Sequence, residues 1–141
     1  MSAVEQAVQA HLILSTRRAV PLRATLRYLA GDPLAVRLGF PAEFALDGEP
    51  VPADVPEITW VFARELLADG VDRACGEGDV HVRPSSTRHT LVELRSPEGT
   101  ALVRFPSPEL RRFLWRSHAL VAPGQEHRFL DADRALAQLL G

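Results

Sequence analysis

Alternating apolar and polar residues recur through most of the chain and predict β-strands, because successive side chains of a strand point to opposite faces. In the first such segment Val8, Ala10, Leu12 and Leu14 share one face, although its first few residues could also be helical. Short connections between the segments favour antiparallel pairing. About eight strands are predicted, with clear patterns over 4–16, 23–29, 34–40, 58–62, 80–83, 90–95 and 100–105.

Proline and glycine mark the connections between these segments. Residues 17–21 form the first connector, and Pro21 is expected to end regular pairing because proline has no N–H to donate. Residues 30–33 carry strong turn signals, and residues 96–99 predict a hairpin. Four prolines within residues 41–56 predict a long excursion over the surface.

Three helices are expected among these strands. Residues 63–69 are strong helix formers, and Gly70 is expected to end that short helix in a backbone conformation with positive φ. Ser107 is expected to cap a second helix, whose buried side would carry Leu110, Phe113, Leu114 and Ser117. A third would begin at Asp131 or Asp133, with Ala132, Ala135, Leu136, Leu139 and Leu140 on one face. The chain is therefore expected to be an α+β, mostly β protein with a single domain over residues 1–141.

Composition narrows the class of protein further. A 46% apolar and 24% charged chain is typical of a globular protein, and a net charge of −2 gives no general attraction to nucleic acid or membranes. The single cysteine, Cys75, excludes an internal disulfide framework. The first 30 residues lack the basic and apolar pattern of a signal peptide, so a cytoplasmic location is expected.

Candidate catalytic and metal-binding patterns do not assemble into a site. Gly76 and Gly78 lack the third glycine and the following helix that a phosphate loop requires. The five histidines lack the spacing of a metal pair. Ser85, Ser86 and His89 could form a serine–base pair, but a polar turn explains them better. We expect no enzyme activity, no cofactor, no metal and no small-molecule substrate.

One cluster on the second predicted helix is a candidate for binding a partner. It combines an aromatic ring with cations: Arg111, Arg112, Trp115 and Arg116. Such a cluster could dock an acidic, partly apolar protein segment, because Trp and Arg are common anchors of interfaces. It could also stack single-stranded nucleic acid, or Trp115 could simply cover a sheet edge beneath arginine side chains.

Several motifs together resemble a known family. These are residues 60–67 (WVFARELL), 76–84 (GEGDVHVRP), 96–99 (SPEG) and 123–127 (PGQEH), with shorter matches near residues 20–22 and 32–33. In this order they resemble the SsgA-like proteins, actinomycete regulators of sporulation-specific cell division, and are most similar to the SsgB branch. The resemblance covers roughly residues 11–140.

The resemblance implies a non-enzymatic protein that acts through protein contacts. It implies a whirly-like fold with two antiparallel sheets, one short mid-chain helix and two C-terminal helices. It also implies that the chain helps recruit the tubulin-like division GTPase FtsZ to septum sites, with other SsgA-like proteins as partners and a homo-oligomer, favoured as a trimer. The alternative is a whirly-like single-stranded nucleic-acid-binding module or transcriptional adaptor, although fold similarity alone does not carry nucleic-acid binding across.

Overall fold

Antiparallel strands account for most of the chain in the computed structural model, which describes residues 3–41, 56–130 and 139. In this part of the chain there are eight strands, which confirms the predicted number and their antiparallel pairing. The strands are β1 (Ala3–Ser15), β2 (Arg18–Leu29), β3 (Ala35–Pro41), β4 (Glu57–Ala63), β5 (Cys75–Glu77), β6 (Val80–Pro84), β7 (His89–Ser96) and β8 (Gly99–Pro106); the helices are α1 (Arg64–Gly70) and α2 (Ser107–Leu120).

The eight strands form one sheet, in the order β4-β3-β2-β1-β8-β7-β6-β5, and not the two sheets that were predicted. Strand β1 makes the difference because it pairs on both sides. It pairs with β2 along nearly its whole length, and with β8 through His11 and Leu12, which lie opposite Arg104 and Val103. This short junction joins two groups of strands that would otherwise be separate sheets.

The sheet curls until its two edge strands approach each other. Trp60 and Val61 of β4 line the same cavity as Glu77 of β5 and Val80 of β6. A sheet of this size curls because neighbouring strands twist relative to one another in a constant sense. Helix α2 packs against β1 and β8, and α1 packs against β5 and β6.

Pro21 lies inside strand β2, so the prediction that it ends pairing is wrong. It stands opposite His11 of β1 in the register. The other neighbour, β3, pairs with β2 only over residues 25–27. Pro21 therefore lies where one side of β2 has no partner strand, which is where proline is tolerated in a sheet.

One hydrophobic core fills the curled sheet and reaches the helices. The predicted alternation is confirmed in β3, where Val36, Leu38 and Phe40 are buried, and in β6, where Val80 and Val82 are buried. The largest fully buried side chains are Tyr28, Phe105, Phe113, Leu26, Leu38, Leu67 and Leu110. In β3 the opposite face carries the half-buried residues Ala35, Arg37 and Pro41 and the buried Gly39.

Helix α1 ends at Gly70 as predicted, but for a different reason. Positive φ among the described glycines occurs at Gly78, Gly99 and Gly124, and not at Gly70. A Cβ atom on Gly70 would collide with the side chain of Val82 on β6. Gly70 is therefore required for the close approach of α1 to the sheet.

Helix α2 begins at Ser107, but the Ser107 side chain does not cap it as predicted. The Ser107 hydroxyl is buried and forms a 2.7 Å hydrogen bond with the hydroxyl of Thr90 on β7. A buried hydroxyl needs such a partner, and Thr90 offers one at the base of the helix. The predicted buried side of α2 is confirmed, since Leu110, Phe113, Leu114 and Ser117 are all buried.

Two predictions fall largely outside the described residues. The excursion over 41–56 is one of them, since residues 42–55 are not described. The helix predicted from Asp131 or Asp133 is the other; residues 126–130 just before it are helical, and so is Leu139. No helix in the described part of the chain is long and apolar enough to cross a membrane.

Candidate functional site

The face of α2 that points away from the core carries the four residues singled out by the sequence: Arg111, Arg112, Trp115 and Arg116. Their spacing of three and four residues places them together on a helix surface. The buried stripe on the other side, which includes Phe113 and Ser117, fixes this orientation. We call these four residues the α2 face.

Arg111 is held at one side of the α2 face. Its Nη2 donates to Asp72 Oδ1 at 2.9 Å and to the carbonyl oxygen of Val71 at 3.3 Å. Both partners follow α1 directly, so these bonds link the two helices. The Asp72 and Arg111 side chains are more than half exposed, and such a pair contributes little to stability. Its effect is to position the guanidinium.

Arg116 is held at the other side of the α2 face by strand β1. Its Nη1 donates to Gln6 Oε1 at 3.2 Å and to the carbonyl oxygen of Glu5 at 3.4 Å. Gln6 is buried, and its own amide donates to the carbonyl oxygen of Glu109 at 2.8 Å. Gln6 therefore ties β1 to the first turn of α2 as well as to Arg116.

Trp115 and Arg112 lie between these anchored arginines and point into solvent. Trp115 is 73% exposed, the largest exposure of any aromatic side chain in the described residues. The interpretation in which Trp115 covers a sheet edge is therefore wrong. Arg112 is exposed and makes no ion pair within the described part of the chain. The α2 face thus presents an open indole ring flanked by cations.

A buried arginine that the sequence analysis did not single out lies at the junction of three segments. Arg64, the first residue of α1, is 2% exposed. Its Nη1 donates to the carbonyl oxygens of Ser117 and Val121 at 3.1 and 2.8 Å, and its Nη2 donates to Glu126 Oε1 at 2.8 Å. Its guanidinium also lies over the Tyr28 ring, 4.6 Å from the centroid.

The role of Arg64 is structural, because its donors are directed at main-chain carbonyls and at one carboxylate. The sequence holds a signal for its burial: Arg64 precedes Leu67 by three residues, so both lie on the same face of α1. An arginine on a core face must have internal partners. Those partners are far along the chain, and for this reason the spacing alone did not reveal them.

Three titratable groups beside Arg64 have shifted pKa values. Burial raises the pKa of Tyr28, against the charge of Arg64, which lowers it. Burial lowers the pKa of His118, the positive charge of Arg64 lowers it further, and Glu126 opposes both effects. For Glu126, burial acts to raise the pKa. Hydrogen bonds from Arg64 and the main chain, together with the charge of Arg64, outweigh burial and leave the pKa of Glu126 below its ordinary value.

The serine–base candidates lie in the connection between β6 and β7. Ser86 Oγ is 3.2 Å from His89 Nδ1, but both groups are exposed, and Ser86 Oγ also accepts a hydrogen bond from the backbone N–H of Arg88. The backbone N–H groups of Ser85 and Ser86 donate to the carbonyl oxygen of His89. These bonds close a polar turn, which agrees with the preferred interpretation.

Metal-binding side chains are dispersed in the described residues, which contain no group of three or more His, Cys, Asp or Glu placed to hold an ion. Cys75 is half-buried on the short edge strand β5. The α2 face is therefore the candidate site that the structure brings together from the residues the sequence singled out.

Comparison with known proteins identifies the chain's relatives. A family model described as "Streptomyces sporulation and cell division protein, SsgA" matches residues 22–126. Sporulation-specific cell division protein SsgB of Streptomyces coelicolor is 41% identical over 92% of this chain and 89% of its own. SsgB of Salinispora tropica is 42% identical over 97% of this chain and 92% of its own. The chain belongs to the SsgA family.

Structural comparison agrees with this assignment. An SsgA-like sporulation-specific cell division protein from Thermobifida fusca superimposes with a TM-score of 0.83 at 36% identity, covering 97% of this chain and 95% of that one. The family and the SsgB branch indicated by the sequence motifs are thereby confirmed. SsgA-family relatives carry the names of cell-division proteins and not of enzymes. The whirly-like classification stays a prediction.

Proposed function

We propose that this protein takes part in sporulation-specific cell division as a non-enzymatic adaptor that binds other proteins. Family membership supports the process, because the matched relatives are named sporulation-specific cell division proteins. Dispersed catalytic and metal-binding side chains in the described residues agree with a binding role. The proposed partner is FtsZ, which the protein would help position at septum sites.

The observation that carries the proposal is the exposure of Trp115 at the centre of the α2 face. A tryptophan that is 73% exposed leaves a large apolar ring in water, and burying it against a partner is favourable. Arg111 and Arg116 are already held by hydrogen bonds to Asp72 and Gln6, so binding would lose little of their conformational entropy. The α2 face fits an acidic segment with an apolar side chain for the indole.

Self-association and contacts with other SsgA-family proteins belong to the same proposal. Edge strand β4 exposes two apolar side chains, Ile58 at 50% and Val61 at 56%. An edge strand also has unpaired N–H and C=O groups along its outer side, which can pair with another chain. We propose a homo-oligomer, with three copies the expected number, formed through this edge and separate from the α2 face.

The test is a titration of the purified protein against labelled FtsZ, with a single-stranded oligonucleotide titrated in the same buffer. Saturable FtsZ binding is expected, and Trp115→Ala should weaken it about tenfold or more, because central tryptophans are frequent hot spots. Arg112→Glu should weaken it as well. Arg23→Glu is the matched control, an equal charge change at an exposed position on the opposite face of the sheet.

Either of two results would contradict this function. FtsZ binding that Trp115→Ala and Arg112→Glu leave unchanged would remove the α2 face as the docking site. Oligonucleotide binding that falls steeply with salt, in the absence of FtsZ binding, would replace the adaptor by the nucleic-acid-binding alternative.

A further inference from the structure

A cleft opens on the outer face of the sheet where β1 separates from β8. The last paired positions are Leu12 and Val103; beyond them β1 continues to pair with β2 alone. The end of β1, the β1–β2 turn and the outer face of β7 and β8 therefore diverge around a cavity of about 400 Å³. Its polar lining consists of Arg17, Arg18, Arg104, Ser15, Thr16 and Ser85, and we call it the arginine cleft.

The charge of the arginine cleft is unbalanced. Three guanidinium groups line it, and no carboxylate is among the described residues that do so. Seven ion pairs connect other arginines to acidic residues in the described ranges, but none involves Arg17, Arg18 or Arg104. In a protein with a net charge of −2, three such cations in one concavity attract an anion.

Arg104 supplies the second observation. It projects from the outer face of β8, between the facing positions His11 and Leu91, and its side chain is half-buried. Its Nε is buried and has no hydrogen-bond partner in the described part of the chain. A buried N–H of a charged group without an acceptor is unfavourable. An anion bound to the terminal nitrogens of the same guanidinium would offset part of the cost of burying this charge.

The β1–β2 turn is shaped to place hydroxyl groups beside the arginines. The pairing register shifts between Ile13 and Ser15, which forms a bulge at the end of β1. Bulges redirect side chains and occur often beside functional sites. With Ser85 on the opposite wall, Ser15 and Thr16 add three hydroxyl donors to the guanidinium groups.

The donor set favours phosphate over carboxylate. Three arginines and three hydroxyls exceed what the two oxygens of a carboxylate can accept, whereas a phosphate monoester presents three terminal oxygens and nearly two charges at neutral pH. The half-buried side chains of Ile13, Leu91 and Leu102 give the cleft an apolar floor. Its volume falls within the range of small-ligand pockets.

We infer that the arginine cleft binds a small phosphate monoester whose organic part rests on the apolar floor. The phosphate would lie against Arg104 and the β1–β2 turn. The cleft is on the outer face of the sheet, whereas α2 is tied to the inner face through Gln6. Ligand binding is therefore independent of docking on the α2 face.

The test is isothermal titration calorimetry of the full chain at pH 7.5. Phenyl phosphate, inorganic phosphate and benzoate are titrated separately, in solutions of the same ionic strength. Phenyl phosphate should bind most tightly and benzoate most weakly. Arg104→Gln and Arg18→Gln should each weaken phenyl phosphate binding about tenfold or more, as expected for the loss of charge-assisted hydrogen bonds. Arg73→Gln removes an equal charge from a side chain that is 75% exposed outside the cleft, and it should change nothing.

Three results would overturn the inference. They are no heat of binding with phenyl phosphate at millimolar concentration, an equal loss of affinity in Arg73→Gln and Arg104→Gln, and benzoate binding as tight as phenyl phosphate.

A single-stranded oligonucleotide is titrated in parallel. If it binds, and Arg104→Gln weakens that binding, while phenyl phosphate does not bind, the anion recognised is a nucleic-acid backbone and the inference is wrong. Arg104 is half-buried, so its replacement could also disturb folding. Arg18 is exposed, and Arg18→Gln therefore tests the cleft without that risk.

Discussion

At the scale of single residues, Arg64 joins several segments that are far apart in the sequence. It joins the start of α1 to the end of α2, to Val121 and to the helical residues that begin at Glu126. A buried ion pair is not by itself a strong source of stability, because desolvation offsets its attraction. Removing one partner of the pair is strongly destabilising, because the other charged group is then left buried without an opposite charge.

We expect Arg64→Lys to lower the free energy of unfolding by about 2–4 kcal/mol, because one ammonium group cannot replace the planar fork that reaches two carbonyls and a carboxylate. Glu126→Gln keeps an acceptor and should cost about 1–2 kcal/mol. Urea unfolding followed by circular dichroism measures both values. Arg95→Lys is the matched control, since its pair with Glu93 is exposed and should contribute less than about 1 kcal/mol. Equal losses in Arg64→Lys and Arg95→Lys would contradict the structural role of Arg64.

The same junction predicts how stability depends on pH. The lowered pKa of His118 means that the unfolded chain takes up a proton more readily than the folded chain does. The free energy of unfolding should therefore fall as the pH decreases from about 6.5 through the lower pKa of the folded state. The lowered pKa of Glu126 affects stability at lower pH. The stabilisation that the ionised Glu126 gives is complete above about pH 4.5 and is lost as the pH falls through the folded-state pKa.

Urea titrations at pH 7.5, 6.5 and 5.5 measure the histidine contribution before the carboxylate begins to titrate. His118→Asn should flatten the decline between pH 7.5 and 5.5. His127→Asn is the control variant, since it replaces an exposed histidine close to the same junction. An unchanged slope in His118→Asn would show that the decline has another source.

At the scale of secondary-structure elements, the close contact between α1 and β6 depends on an absent side chain. A Cβ at Gly70 would collide with Val82, and both residues are buried. Gly70→Ala should therefore lower the free energy of unfolding by about 1–3 kcal/mol, as overpacking does elsewhere. In a Val82→Ala background the same change should cost somewhat less, because the nearest methyl group is gone, although the Cβ of residue 82 still opposes the new side chain. Additive losses in the double variant would mean that the two residues do not compete for space.

Two hydrogen bonds hold the first turn of α2 on the sheet. The hydroxyl pair of Thr90 and Ser107 fixes its start on β7, and the hydrogen bond from Gln6 to Glu109 fixes it on β1. The α2 face is therefore held on the strands of the sheet and not on a loop. A rigid support of this kind favours binding, because little order has to be gained when a partner docks.

At the scale of the whole molecule, the curled sheet leaves β4 as an edge. The proposed oligomer uses this edge, so Val61→Lys should reduce the mass measured by light scattering, because lysine on an edge strand opposes pairing with another edge. Leu29→Lys is the matched control: Leu29 is also exposed, at 40%, but β2 is an interior strand of the sheet. A monomeric wild-type protein, or an oligomer that Val61→Lys leaves intact, would contradict assembly through β4.

Local patterns predicted much of this fold. Alternation identified seven of the eight strands in their order along the chain, since burial of one face requires a period of two, and only the three-residue strand β5 was missed. The hairpin at residues 96–99 followed from its turn chemistry. The spacing of Leu110, Phe113 and Leu114 predicts the buried side of α2, and with it the side that carries the α2 face. These features depend on residues that are close to one another in the sequence, so a local pattern is enough to predict them.

By itself, therefore, the sequence determined seven of the eight strands, the helices α1 and α2, the family and the buried side of α2. Tertiary structure alone decided that the strands form one sheet, that Trp115 stands in solvent, that Arg64 is buried and that Arg18 and Arg104 share a cleft. The physical reason is sequence separation. Arg64 meets Ser117 and Glu126, and Arg104 meets the β1–β2 turn, only after the sheet has curled, and no local period records contacts between residues more than fifty positions apart.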